Sequence, residues 1–375
     1  MTDQEYMLRA IQLAKKGEGW TNPNPMVGAV IVKDGKIIGE GYHKKYGELH
    51  AERNAIASLT ESAEGAVIYV TLEPCCHHGK TPPCTEAIIE QKIRKVVIGS
   101  RDPNPKVAGK GVQMLREAGV TVVEDFMREE CDQLNPVFFH YITMKTPYVV
   151  MKYAMTLDGK IATKTGASKW ITGESARKEV QHMRHQYMGI MAGIGTVLAD
   201  DPMLNVRVEG WKSPVRIVCD SKLRIPPGSQ IVKSAEKYRT IVAYADQKNT
   251  EEKIKILHTM GVETIYCPDE KNQIDLKKLM TDLGSKGIDS ILLEGGGTLN
   301  DSALRAGIVK EVQAFVAPKL FGGVAGKTPV EGIGVEFPSE AVELKYTDIC
   351  QIGEDIRIRC QVCEKKQEES CLQES

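Results

Sequence analysis

Residues 66–84 read AVIYVTLEPCCHHGKTPPC, and this stretch decides how the first half of the chain folds. Ala66–Leu72 is a continuous apolar run that predicts a buried strand, and Thr85–Gln91 beyond the stretch predicts a helix. The residues between them, Glu73–Pro83, are rich in proline, cysteine, histidine and glycine and therefore predict a loop. The loop brings a cluster of chemically reactive side chains between a strand and a helix.

Cysteines from this loop and the following helix join an upstream histidine in a metal-ligand pattern. His50-Ala51-Glu52 lies near a predicted helix start, Cys75 follows the buried strand, and Cys84 opens the next helix. One imidazole and two thiolates suit a catalytic Zn²⁺, which keeps its fourth position for water and lowers the pKa of that water. Glu52 can move protons beside the water without binding the metal, as in zinc nucleobase deaminases. The pattern predicts a zinc-dependent deaminase, and we expect the helix dipole at Cys84 to stabilise its thiolate.

A closed structural zinc site is the alternative explanation of this cluster. It needs a fourth protein ligand, which Cys76, His77 or His78 could supply. Other base deaminases usually carry Cys-x-x-Cys, whereas Cys75 and Cys84 are nine positions apart. The longer loop offers contacts of its own, so we expect His77 to bond the reacting ring and Lys80 to meet a phosphate. Solvent-facing loop residues remain the alternative for both.

Two further loops contribute candidates for the deaminase substrate. Asn24, in Thr21-Asn22-Pro23-Asn24-Pro25, offers a donor and an acceptor for a base edge. Asp102 and Asn104 follow the predicted strand Lys95–Gly99, at a position where α/β proteins commonly bind ligands. Turn chemistry alone explains both loops equally well.

Length and periodicity predict two α/β domains in the 375 residues. The first half combines a hairpin at Asp34-Gly35 with repeated helix and strand signals, and the second half repeats a β/α order. Lys145, Thr146 and Pro147 interrupt the pattern. We therefore expect a deaminase domain at 1–146, a second domain at 147–362 and a disordered tail at 363–375.

Charge and hydropathy indicate which kinds of partner the chain binds. The net charge is −1, and a nucleic-acid-binding protein usually has a basic excess, so a small molecule is favoured over nucleic acid. An apolar run of membrane-spanning length is missing from the sequence, which predicts no membrane span. The acidic, polar N-terminus does not resemble a signal peptide, so we expect a cytoplasmic protein.

Two glycine-rich turns in the second half indicate a phosphate or nucleotide site. Gly295-Gly296-Gly297 runs from a strand into a helix, where backbone N–H groups bind phosphate readily. Gly193-Ile194-Gly195 is similar, but neither turn satisfies Gly-x-Gly-x-x-Gly, which disfavours an ordinary Rossmann domain. Tight turns without a ligand remain the alternative. Arg184 and Arg207 could clamp a substrate phosphate or could simply face solvent.

From Tyr6 to Gln361 the chain resembles the bifunctional deaminase/reductase family of riboflavin biosynthesis. Five motifs carry the resemblance: Asn22-Pro23-Asn24-Pro25-Met26-Val27-Gly28, His50-Ala51-Glu52, Glu73-Pro74-Cys75-Cys76-His77-His78-Gly79, Lys152-Tyr153-Ala154-Met155-Thr156-Leu157-Asp158-Gly159-Lys160 and Glu294-Gly295-Gly296-Gly297. The long Cys–Cys spacing is also a feature of this family.

The resemblance implies a fold, two reactions and a set of site residues. The N-terminal domain would be a cytidine-deaminase-like α/β/α zinc domain that hydrolyses the exocyclic amine of 2,5-diamino-6-ribosylamino-4(3H)-pyrimidinone 5′-phosphate. The C-terminal domain would be dihydrofolate-reductase-like and would reduce the ribosyl group to ribityl with NADPH. The implied NADPH-binding residues are Ala154, Trp170, Thr196, Asp200, Ser221, Gly296, Gly297 and Thr298. The implied reductase-substrate residues are Lys152, Ser168, Arg184, Leu204, Arg207 and Glu294, and Lys152 and Asp200 are also candidates for polar roles in hydride transfer.

The resemblance also implies a homo-oligomer. A nucleic-acid base deaminase with an appended binding domain is the main rival, but it predicts a basic surface and Cys-x-x-Cys, which the sequence lacks. A reductase with a purely structural zinc domain leaves Glu52 without a role. A non-catalytic zinc protein leaves the glycine-rich turns unexplained.

Overall fold

Two β-sheets, each with helices on both faces, make up the computed structural model, which describes residues 1–77, 82–104, 108–248, 250–324 and 326–363. No helix within these ranges is long and apolar enough to cross a membrane. The tail predicted at 363–375 falls outside them except for Cys363. The boundary proposed at 146/147 falls between a helix that ends at Met144 and a strand that begins at Tyr148.

The first sheet has five strands in the order β2-β1-β3-β4-β5. The first three pair antiparallel and the last three pair parallel. The strands are β1 (Gly28–Lys33), β2 (Lys36–Tyr42), β3 (Val67–Leu72), β4 (Lys95–Ser100) and β5 (Thr121–Val123). The helices are α1 (Asp3–Ala14), α2 (Ala51–Ala57), α3 (Cys84–Glu90), α4 (Lys110–Glu117), α5 (Arg128–Asp132) and α6 (Pro136–Met144).

Alternating side chains of β1 bury both faces of this sheet. Ala29 and Ile31 face a core shared with α2, α3 and α4, whereas Val30 and Val32 face a core shared with α1. Successive strand residues point to opposite faces, so a strand that is apolar throughout is covered on both sides. The result is the predicted α/β/α layering.

The second sheet has nine strands in the order β10-β9-β8-β7-β11-β6-β12-β14-β13. They are β6 (Tyr148–Thr156), β7 (Gly189–Gly193), β8 (Val215–Cys219), β9 (Thr240–Tyr244), β10 (Val262–Tyr266), β11 (Ser290–Leu293), β12 (Val309–Ala317), β13 (Leu344–Ile352) and β14 (Asp355–Val362). All neighbours from β10 to β12 are parallel, and β14 and β13 add an antiparallel edge. The helices are α7 (Glu174–Gln186), α8 (Ile194–Asp200), α9 (Gln230–Lys233), α10 (Glu251–Thr259), α11 (Leu276–Ser285) and α12 (Gly297–Arg305).

The parallel order brings several loops to one edge of the second sheet. The loops that follow β7, β8 and β11 leave from the carboxyl ends of neighbouring parallel strands. Ligands of open α/β sheets bind at such an edge. The predicted α/β class is thus confirmed for both halves, and the glycine-rich turns lie where a ligand site is expected.

Candidate active sites

Close packing of α2 on β2 places His50 and Glu52. Gly41 of β2 lies so near the helix that an added Cβ would come within 2.2 Å of the Ala55 nitrogen and 2.4 Å of the Ala51 oxygen. His50 is the N-cap residue and makes no side-chain capping bond, so its imidazole is free to face the cysteines. Glu52 lies in the first turn and is only 3% exposed.

The loop after β3 and the start of α3 bring the two cysteines together. The Cys75 carbonyl accepts hydrogen bonds from the backbone N–H groups of Cys84 and Thr85, at 3.1 and 3.2 Å. Arg53 of α2 donates to the carbonyls of Pro82 and Pro83, at 3.0 and 2.8 Å. Backbone and side-chain bonds therefore hold the start of α3 against both α2 and the loop.

His50, Cys75 and Cys84 form a group that fits a metal ion. Their ligand atoms lie within 4.8 Å of one another, and His50 Nδ1 is 3.5 Å from each sulfur. Cys76 and His77 are not part of the group, so the described residues supply three ligands. Three ligands leave a position for water, which favours a catalytic site over a closed structural one. His78, the remaining candidate for a fourth ligand, lies outside the described residues.

Hydrogen bonding within this group favours the thiolate form of Cys75. Its thiol pKa is lowered to about 4, first because the Cys84 thiol donates to its sulfur and then because His50 does so. The pKa of Cys84 is raised by the same hydrogen bond and by burial. The Cys84 N–H at the start of α3 lies 3.4 Å from the Cys75 sulfur. The expected stabilisation of a Cys84 thiolate by the helix start stays a prediction.

Glu52 has the properties of a proton carrier. Burial, followed by the nearby charge of Cys75, raises its pKa to about 6. A carboxyl group with a pKa near neutrality can both accept and return a proton.

A cavity of about 270 Å³ opens onto this group and gathers most of the predicted deaminase contacts. Asn24, His77, Asp102 and Asn104 line it together with Glu52. Asp102 also accepts a hydrogen bond from the Asn104 N–H at 2.8 Å, so the turn role and the cavity role coexist. Lys80 lies outside the described residues, and its predicted phosphate contact stays a prediction.

Two buried polar residues of this cavity were assigned no role in the sequence analysis. His43 is 2% exposed, its Nε2 lies 3.4 Å from the Asn24 amide nitrogen, and its ring meets the His50 ring edge-on at 5.4 Å. Glu73 is 5% exposed and accepts from the Gly109 N–H at 3.1 Å. Each directly follows a strand, which was the available signal.

A second cavity, of about 700 Å³, lies at the carboxyl edge of the second sheet. Both glycine-rich turns line it, through Gly193, Gly195, Gly296 and Gly297. An added Cβ at Gly195 or Gly296 would meet no atom within 4 Å, so backbone faces the open space directly. Predicted residues on its wall are Ser168, Thr196, Asp200, Ser221, Gly296, Gly297 and Thr298.

Two predicted cofactor residues do not line this cavity. Ala154 lies within β6 and packs at the core beside α7. Trp170 is 67% exposed and its ring stacks on the Arg177 guanidinium at 4.2 Å. Their contact with a cofactor stays a prediction.

The predicted reductase-substrate residues centre on a buried ion pair. Arg184 donates to both Glu294 oxygens, at 2.8 and 2.9 Å, and to the Asn205 carbonyl at 3.1 Å. Although burial opposes it, the charges of Arg184, Lys152 and Arg207 lower the pKa of Glu294 to about 2. The Arg184 guanidinium is already paired with Glu294, whereas Arg207 is exposed. Arg207 is therefore the more accessible cation for a substrate phosphate.

Leu204 precedes Asn205, whose carbonyl accepts from Arg184. Its side chain is buried in the core with Val218 and Val242. Its backbone adopts a φ of 49°, which is unusual for a non-glycine residue. Its predicted role in substrate binding stays a prediction.

Lys222 and Arg224 are cavity residues that the sequence analysis missed. They follow Ser221 beyond the end of β8 and contribute positive charge to the cavity wall. Arg224 is 3.9 Å from the buried Asp220, and its side chain is 56% exposed.

Two family models match separate parts of the chain. The model described as "Cytidine and deoxycytidylate deaminase zinc-binding region" matches residues 1–100. The model described as "RibD C-terminal domain" matches residues 147–358.

Curated and solved relatives match both regions together. Riboflavin biosynthesis protein RibD of Actinobacillus pleuropneumoniae is 58% identical over 356 residues, which cover 95% of this chain and 94% of that one. RibD of Escherichia coli is 40% identical over 370 residues, covering 95% and 98%. The Thermotoga maritima structure titled diaminohydroxyphosphoribosylaminopyrimidine deaminase/5-amino-6-(5-phosphoribosylamino)uracil reductase has a TM-score of 0.86 and 39% identity, covering 96% and 98%. An Acinetobacter baumannii RibD structure has a TM-score of 0.86 and 38% identity, covering 96% and 99%.

Proposed function

The chain belongs to the riboflavin biosynthesis protein RibD family of bifunctional deaminase/reductases, and we propose that its two cavities act in turn on one phosphorylated pyrimidine. The first cavity would hydrolyse the exocyclic amine of 2,5-diamino-6-ribosylamino-4(3H)-pyrimidinone 5′-phosphate. The second would reduce the ribosyl group of the product to ribityl. The observation that carries the proposal is the buried Glu52 beside a three-ligand group at the mouth of a cavity.

Zn²⁺ fits the first site because one imidazole and two sulfurs lie within reach of a single ion. His50, Cys75 and Cys84 would hold it, and when bound it would supply Lewis-acid activation of a water molecule. Glu52 would take one proton from the attacking water and pass it to the ring nitrogen. It would then take the second proton from the added hydroxyl group and pass it to the departing ammonia. The amide of Asn24 would orient the ring, and the burial of Glu52 excludes bulk water from the proton transfer.

A dinucleotide fits the second cavity because its wall combines exposed backbone at two glycine-rich turns with positive charge near β8. When bound, the cofactor would supply a hydride. The N–H groups at the start of α12 would face its phosphates. Glu294 and Arg207 would border the reacting sugar and its phosphate.

Lys222 and Arg224 support NADPH as the cofactor. The 2′-phosphate that distinguishes NADPH from NADH is an anion, and it is commonly recognised by a basic side chain near the cofactor ribose. Both residues supply such a charge next to Ser221, a predicted cofactor contact.

Lys222→Ala is expected to raise the KM for NADPH about tenfold while the KM for NADH and ammonia release stay unchanged. A charge-assisted phosphate contact contributes roughly 1.5–3 kcal/mol, and about 1.4 kcal/mol corresponds to a factor of ten. Steady-state NADPH and NADH oxidation on the deaminated substrate measure the effect. Lys233→Ala removes the same charge from a neighbouring exposed lysine outside the cavity and should leave both KM values unchanged. Equal changes in the two cofactors' KM values would contradict the assignment.

We also propose that the chain forms a homo-oligomer. Strand β13 is a largely exposed sheet edge whose Tyr346 and Ile349 side chains are 68% and 60% exposed. Unpaired apolar edge strands are unusual in monomers because they attract other strands. Light scattering should give a mass above the 41.4 kDa of one chain, and a mass of one chain at micromolar concentration would refute the proposal.

A further inference from the structure

A segment of the deaminase region rests directly on the reductase region. Residues 18–24, here called the docking loop, lie between the end of α1 and the start of β1. Glu18 contacts His182 of α7 at 3.1 Å, and Asn22 donates to Asp289, next to β11, at 2.9 Å. The loop therefore touches two elements of the second sheet's layers.

The contact with α7 is close and well packed. Gly19 has a φ of 74°, and an added Cβ would lie 2.6 Å from the His185 ring. His185 is 4% exposed because Trp20 meets one side of its ring at 4.8 Å and Trp211 stacks on it at 5.0 Å. This packing fixes the distance between the docking loop and α7.

The contact with Asp289 fixes the loop's direction. Asp289 is 1% exposed, and each of its oxygens accepts one hydrogen bond: Oδ2 from Asn22, and Oδ1 from the Ser290 hydroxyl at 2.5 Å. Ser290 in turn accepts from the Met188 N–H at 3.0 Å. The Asp289 carboxylate is buried and is held through Ser290 by the Met188 backbone. The Asn22 amide can therefore donate to it from only one favourable position.

The other end of the docking loop lies in the deaminase cavity. The Asn24 N–H donates to the Thr21 carbonyl at 2.8 Å, so Asn22 sits inside the turn that presents Asn24. The Asn24 side chain lies 3.4 Å from His43, whose ring packs against that of His50. Met26 lies two residues beyond Asn24, and the Asn135 side chain holds its backbone. The Asn135 amide accepts from the Met26 N–H at 2.7 Å and donates to the Met26 carbonyl at 2.8 Å.

We infer that Asp289, which belongs to the reductase region, is a positioning residue for deamination: through Asn22 it holds Asn24 in place to bind the pyrimidine. The inference rests on the proposed function, because it takes Asn24 as a substrate contact. It assigns to the reductase region a part in the first reaction that does not involve reduction. Deamination then depends on the contact between the two regions as well as on the zinc ligands.

Asp289→Ala tests this role because it removes the carboxylate that accepts from Asn22. The expected result is a KM for deamination about tenfold higher, with kcat within twofold and zinc content unchanged. Asn22→Ala removes the same hydrogen bond from the other side and should raise the KM equally. The double variant should show no further rise, because both substitutions remove one interaction.

Tyr141→Phe is the matched control, since it removes another hydrogen bond between the two regions, from the Tyr141 hydroxyl to the Gly284 carbonyl at 3.0 Å. It should leave the deamination KM unchanged if Asp289 acts through Asn24. An unchanged KM in Asp289→Ala, an equal rise in Tyr141→Phe, or a further tenfold rise in the double variant would each overturn the inference. A wild-type chain that releases no ammonia would instead refute the proposed function itself.

Discussion

Glu52→Gln should lower the rate of ammonia release roughly a thousandfold while the protein keeps its zinc and its NADPH-dependent reduction. Glutamine has nearly the same shape as glutamate but cannot accept and return a proton. The side chain is 3% exposed, so bulk water cannot easily replace it. Ammonia release from the diaminopyrimidine ribosylamine phosphate measures the first activity, and NADPH oxidation on the deaminated compound measures the second.

Glu48→Gln provides the matched control for this loss. Glu48 lines the same cavity, and its replacement makes the same chemical change to a carboxylate that is not assigned to proton transfer. Ammonia release should stay within a fewfold of wild type. Glu52→Gln with wild-type activity would remove Glu52 from the mechanism.

Cys84→Ala should abolish zinc binding and destabilise the N-terminal half. Cys84 is fully buried, its sulfur is 3.5 Å from His50, and it lies within the three-ligand group. Two remaining ligands hold zinc weakly, and the binding energy of a metal contributes to the stability of the fold around it. Metal analysis after dialysis should find zinc near zero, and thermal unfolding of the variant should begin at lower temperature.

Cys76→Ala separates a catalytic site from a closed structural one. Cys76 adjoins Cys75 but lies outside the three-ligand group, so the variant should retain a full complement of zinc. Zinc lost from Cys76→Ala, or kept in Cys84→Ala, would show that the ligand assignment is wrong.

Local patterns predicted the elements around the zinc group. The Asp34-Gly35 turn and the apolar run Ala66–Leu72 correspond to the β1–β2 hairpin and to β3. Each signal is complete within a few residues, because strand burial and turn geometry depend on neighbours in sequence. The same holds for Cys84, which begins α3 as expected.

Elements whose stability depends on distant partners escaped prediction. Strand β7, Gly189–Gly193, is short and bounded by glycines, and pairing with β11 and β8 on its two sides makes it a strand. Strands β13 and β14 pair with each other at the sheet edge, and β14 also pairs with β12. Polar and apolar residues alternate along β14, which is a strand signal that the sequence analysis did not use.

Contacts between residues distant in sequence also escaped prediction within the two candidate active sites. The hydrogen bond from Asn22 to Asp289 joins residues 267 positions apart, so sequence proximity could not reveal it. The hydrogen bonds that the Cys84 N–H and thiol make to the Cys75 sulfur depend in the same way on how the loop between the two cysteines folds. Residue type indicated the chemistry, and tertiary structure decided how it is arranged.

A sequential assay on the purified chain with the diaminopyrimidine ribosylamine phosphate tests the two-site mechanism most directly. Ammonia is followed first without NADPH, and NADPH absorbance is followed after the cofactor is added. We expect ammonia release without cofactor and then consumption of about one NADPH per ammonia released. NADPH consumption without prior ammonia release, or ammonia release with no later consumption of NADPH, would contradict two sites that act in turn.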